Sequence, residues 1–152
     1  MGAIWWVLTL GWAAVMFEFS TRSFAPEFTG RLLAAMLHSL HLNMPASAFG
    51  LLHALVRKLA HVVEYGIFGL FLYGVTGDPK QPGWRPRRAL ICILIAAAYS
   101  ATDEFHQRFV AGRHAAISDC GLDTIGATLA MLIFYVFHQF ALRRELHATR
   151  TS

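Results

Sequence analysis

The chain has 152 residues, of which 56% are hydrophobic and only 14% charged. Ordinary soluble domains carry roughly 25% charged residues to cover their surface, so this composition argues against a soluble enzyme and against disorder. The net charge of +4 comes mostly from bases flanking apolar runs, which points to topology and anionic lipid; no nucleic-acid partner is expected.

The first apolar run is Ala3 to Phe17, with Trp5 and Trp6 placed for the interfacial aromatic belt. It has neither a basic leader nor a small-x-small cleavage site, so it reads as a retained span. The stretch from Thr21 to Val56 is too long for a bare turn. Within it, Arg31 to Leu42 reads as an amphipathic interfacial helix broken by Pro45, with Ser47 as N-cap of the next helix. Apolar runs follow at Tyr65 to Thr76, Ala89 to Thr102 and Thr124 to Leu142. The second and third are joined by the turn segment GDPKQPGWRPRR, and Gly112 marks a tight return before the last. Cys92 and Cys120 read as small apolar fillers. The expected fold is all-α: a single-domain polytopic membrane protein, a four-transmembrane-helix bundle with an interfacial amphipathic helix in the first loop. Its spans are expected at about 3–20, 57–76, 88–107 and 120–142.

The positive-inside rule puts the segments bearing Lys80, Arg85, Arg87, Arg88, Arg143, Arg144 and Arg150 in the cytoplasm, with both termini inside. A crossing needs roughly 20 residues, and only the last run is long enough alone. Extending the others draws Glu18, His61, Glu64, Asp103, Glu104 and His106 into the membrane, and Asp119 lies one turn beyond the last span. All four spans therefore turn polar near one face. Ionisable groups at that depth are costly and face a cavity or each other.

Helical spacing sharpens the set. Lys58, His61 and Tyr65 share a face, with Glu64 beside them; Asp103, His106 and Gln107 form a second group, and Asp119 and Asp123 a third. Imidazole with carboxylate suits acid–base work, which makes His61, Glu64, Asp103, Glu104, His106 and Asp119 the catalytic candidates. Lys58 and Arg113 form a candidate anion clamp, with Tyr65, Gln107 and Asp123 as further binding candidates. The same side chains could instead hold a divalent metal, or pair only to hold the bundle together. Gly66, Gly69, Gly121 and Gly126 are read as points of close helix approach.

Four stretches carry a resemblance. RKLAHVVEYGIFGLFLY (Arg57 to Tyr73) contains Lys-x-x-His-x-x-Glu-Tyr, and SATDEFHQRFVAGR (Ser100 to Arg113) contains Asp-Glu-x-x-Gln and Gly-Arg. Ser118-Asp119 and TIGATLA (Thr124 to Ala130) follow in order. Together they resemble the VanZ-like family of small bacterial membrane proteins. That family commonly has Asn where Asp123 stands and Pro where Ala111 stands. The resemblance implies a four-helix integral membrane protein of the bacterial cytoplasmic membrane, related to resistance against the glycopeptide teicoplanin. It carries over Lys58, His61, Glu64, Tyr65, Asp103, Glu104, Gln107, Arg113 and Asp119. The expected role is an outward-facing polar pocket that binds or acts on an anionic ligand, as a hydrolase or transferase. The expected partners are membrane lipids, a lipid-linked cell-wall precursor or a glycopeptide. A non-catalytic accessory protein and a small proton-coupled transporter are the alternatives.

Overall fold

The computed structural model describes residues 2–21, 26–77, 83–110 and 117–150, with the side chains of residues 117 and 146–150 excepted. The elements are α1 (Gly2–Ser20), α2 (Pro26–Ser39), α3 (Ala46–Val75), α4 (Pro86–Gln107) and α5 (Ile117–Arg150). Among the described residues there is no strand.

Three helical segments are long and apolar enough to cross a membrane: Gly2–Ser20, Pro86–Gln107 and Ser118–Glu145. The expected second span departs from this pattern. It is part of α3, a 30-residue helix whose middle carries Arg57, Lys58, His61 and Glu64. The helix also begins earlier than expected. Pro45 occupies its N-cap position, and Ser47 lies inside the helix and supplies no cap. Proline suits a helix entrance because its φ is preset and its missing N–H is not needed there.

α2 starts and ends earlier than the expected Arg31 to Leu42. Pro45 does not stop it. The backbone closes a Schellman motif, in which Leu42 N–H donates to the Leu37 carbonyl at 2.9 Å and His41 N–H to the His38 carbonyl at 3.0 Å. His41 sits at φ 56°, the left-handed position that glycine usually fills.

The bundle is built around the α3–α5 interface, with α4 on α5 and α1 on α3. Small residues set this spacing. A methyl group on Gly69 would only touch Ala127, whereas one on Gly126 would run into the Val62 carbonyl. Gly121 faces open space, so it is not a point of close approach. Phe68, Leu72, Cys92, Ala96, Ala127 and Met131 fill the middle of the bundle. Both cysteines are unpaired.

Two polar bonds tie α1 down: Trp12 Nε1 donates to the Glu64 carbonyl at 3.0 Å, and Tyr99 Oη to the Ala13 carbonyl at 2.7 Å. At the far end Tyr73 locks the α3–α4 connection. Its hydroxyl donates to the Gly83 carbonyl and accepts from Arg85 N–H, and Arg88 stacks on its ring at 4.2 Å. The outer surfaces expose large apolar side chains such as Val7, Leu51, Leu94 and Phe137. In water these would be a liability; against lipid they are contact surface.

Candidate functional site

Antiparallel packing brings together the C-terminal ends of α1 and α4, the middle of α3 and the start of α5. The polar residues of four helices therefore meet at one end of the bundle.

At its centre is Asp123, 1% exposed. Its Oδ1 lies 3.0 Å from His61 Nδ1, and its Oδ2 accepts from Ser100 Oγ at 2.5 Å. One buried carboxylate thus joins α3, α4 and α5. The close approach at Gly126 makes this reach achievable, since Val62, which packs on it, neighbours His61. A carboxylate accepts only, so the proton of this His61–Asp123 bond sits on Nδ1. The other ring nitrogen, Nε2, takes no part in that bond.

Two cavities meet at His61. The first, about 200 Å³, is lined by Met16, Phe19 and Ser20 from α1, Thr29 from α2, and Asp103 and Gln107 from α4. α3 contributes Arg57, Ala60, His61, Glu64 and Tyr65. The second, about 250 Å³, is lined by His53, Arg57, Lys58 and His61 of α3, Asp119 of α5, and Pro26, Gly50 and Ala54. Thr29 anchors α2 over the site, 2.9 Å from His53 Nε2 and 3.4 Å from Arg57 Nη1.

The candidates named from sequence distribute unevenly. His61, Glu64, Tyr65, Asp103 and Gln107 line the first cavity, and Lys58 and Asp119 the second. Gln107 Nε2 donates to Asp103 Oδ2 at 3.1 Å. Glu104 is buried but lines neither cavity. His106 is separated from Asp103 and Gln107: its ring packs on Phe17 of α1, with centroids 4.9 Å apart, outside both cavities. The helical turn explains this. The inward stripe of α4 is Ser100, Asp103, Glu104 and Gln107, spaced i, i+3, i+4, i+7, and His106 falls off it. Arg113 lies outside the described residues.

Ser100, Arg57, His53 and Thr29 were not among the candidates. The i, i+3, i+7 register from Ser100 would have found the first, and the i, i+4 step from Arg57 to His61 the second. His53 and Thr29 join only because α2 folds back on α3. Among the described residues, no group of three or more His, Cys, Asp or Glu side chains is arranged to hold a metal ion.

No curated protein matches the chain, and no solved structure does. The model of the VanZ/LLP1 family matches residues 5–138, most of the chain, and the protein belongs to that family.

Proposed function

We propose that this protein is a cell-envelope membrane protein, related to the glycopeptide-resistance members of its family, whose polar pocket binds and acts on an anionic lipid-linked or cell-wall ligand. The observation that carries this reading is the His61–Asp123–Ser100 arrangement at the meeting point of two cavities. Asp123 orients the imidazole, and Nε2 serves as the acid–base atom for hydrolysis or transfer. Arg57 and Lys58 hold the anion. The carrier alternative needs a polar path through the bundle, and the apolar packing of Phe68, Leu72, Ala96 and Met131 beyond the site weighs against it.

In this reading α3 is the fourth span, crossing from about Arg57 to Val75, and α2 with the first turns of α3 lies on the outer surface. The helix entrance near Arg85 to Arg88 then faces the cytoplasm, as do both termini. Cysteine-accessibility labelling at each terminus in intact cells tests this. Protection at both ends is expected, and labelling at either overturns the orientation.

The ligand is tested by lipid mass spectrometry on the purified full chain. An anionic lipid enriched over the bulk membrane composition is expected. Arg57→Gln with Lys58→Gln should reduce that enrichment by about tenfold. His61→Ala should retain the lipid and lose turnover. Retained lipid with unchanged function would leave binding as the only role, and no enrichment in the unaltered protein would defeat the reading.

A further inference from the structure

The two cavities differ in charge, and that difference narrows the ligand. In the second cavity His53, Arg57, Lys58 and His61 face one carboxylate, Asp119. The four stand at i, i+4, i+5 and i+8 on α3, a single face. Among the described residues neither Arg57 nor Lys58 forms an ion pair, and Arg57 reaches only the Thr29 hydroxyl. Unpaired bases beside a membrane surface suit a phosphate.

The first cavity suits a different chemistry. It shares Arg57 with the second but sets the carboxylates of Glu64 and Asp103 beside it, so it is the less basic of the two. It also holds two polar atoms without partners, Tyr65 Oη and Asp103 Oδ1. Tyr65 is 1% exposed. The hydroxyl beside Asp103, that of Ser20, donates to the Phe17 carbonyl, so its proton does not serve Asp103 Oδ1. A buried donor and a buried acceptor left together call for a group that both accepts and donates, which is a hydroxyl. Phe19 and Met16 supply an apolar wall for its carbon skeleton.

Resting on the proposed anion-binding role, we infer that the ligand is a phosphate ester of a polyhydroxylated group, with its phosphate among the bases of the second cavity and its hydroxyls between Tyr65 and Asp103 in the first. His61, which lines both cavities, then stands where the ester bond joins the two parts. This chemistry occurs in a polyprenyl-linked sugar phosphate and in a glycerolipid with a polyol headgroup.

Binding of the full chain in detergent to four probes separates the cases. The probes are polyprenyl phosphate glucose against polyprenyl phosphate, and phosphatidylglycerol against phosphatidic acid. At least one hydroxylated probe should bind about tenfold tighter than its bare counterpart, and the pair that shows it names the source. Tyr65→Phe and Asp103→Asn should each shrink that ratio toward one while leaving the bare phosphate bound. Retained binding of the bare phosphate also shows that the variant is folded. Equal binding of hydroxylated and bare probes to the unaltered protein overturns this inference and leaves the anion reading standing. Absence of binding to all four defeats the anion reading itself.

Discussion

Asp123→Ala is expected to lower stability by about 3 kcal/mol, read as the midpoint of SDS or thermal unfolding of the purified protein in mild detergent. The substitution orphans two buried groups at once, His61 Nδ1 on α3 and Ser100 Oγ on α4, and removes the one side chain that joins three helices. Asp123→Asn keeps the shape and one acceptor oxygen and should cost only about 1 kcal/mol. Its effect falls on chemistry. An amide can donate to His61 Nδ1, which moves the ring proton to Nε2 and removes the base from the cavity. The resemblance expects Asn here, so the fold should tolerate it while acid–base function changes. If Ala and Asn are equally harmful to stability, Asp123 is not the joint described.

Gly126→Leu should be at least as damaging, by about 3 kcal/mol or more, because the new side chain meets backbone and not a flexible neighbour. α3 would be pushed off α5 beside Val62, which draws His61 away from Asp123, so ligand binding should fall with stability. A graded series makes the test specific. Gly126→Ala is expected to cost about 1–3 kcal/mol, and Gly66→Ala less, since its nearest neighbour stands at 3.4 Å. Gly121→Ala, facing open space, should stay within about 0.5 kcal/mol. A large effect at Gly121, or none at Gly126, would contradict the close approach of these helices.

The membrane class follows from composition, because 14% charge cannot cover a soluble surface. The gathering of polar residues at one end follows from counting span lengths, since a helix rises a constant distance per residue. Periodicity alone placed Lys58, His61 and Tyr65 on one face of α3, but it grouped His106 with Asp103 and Gln107. The error is physical: neighbours three and four apart share a stripe, and only packing decides which stripe turns inward. On α4 the inward stripe begins at Ser100, and His106 turns to Phe17. The end of α2 was likewise unreadable, because a histidine and not a glycine takes the left-handed position that closes it.

By itself, the sequence determined the all-α membrane class, the family and the single polar level at which the ionisable residues lie. These depend on composition, rise per residue and local spacing, which are properties of one helix at a time. The tertiary structure alone decided that Asp123 joins His61 to Ser100, that α2 brings Thr29 to His53, and that two cavities meet at His61. Those features depend on the distance and rotation between helices. Glycine contacts at the α3–α5 interface set both, and no spacing along one chain segment records them.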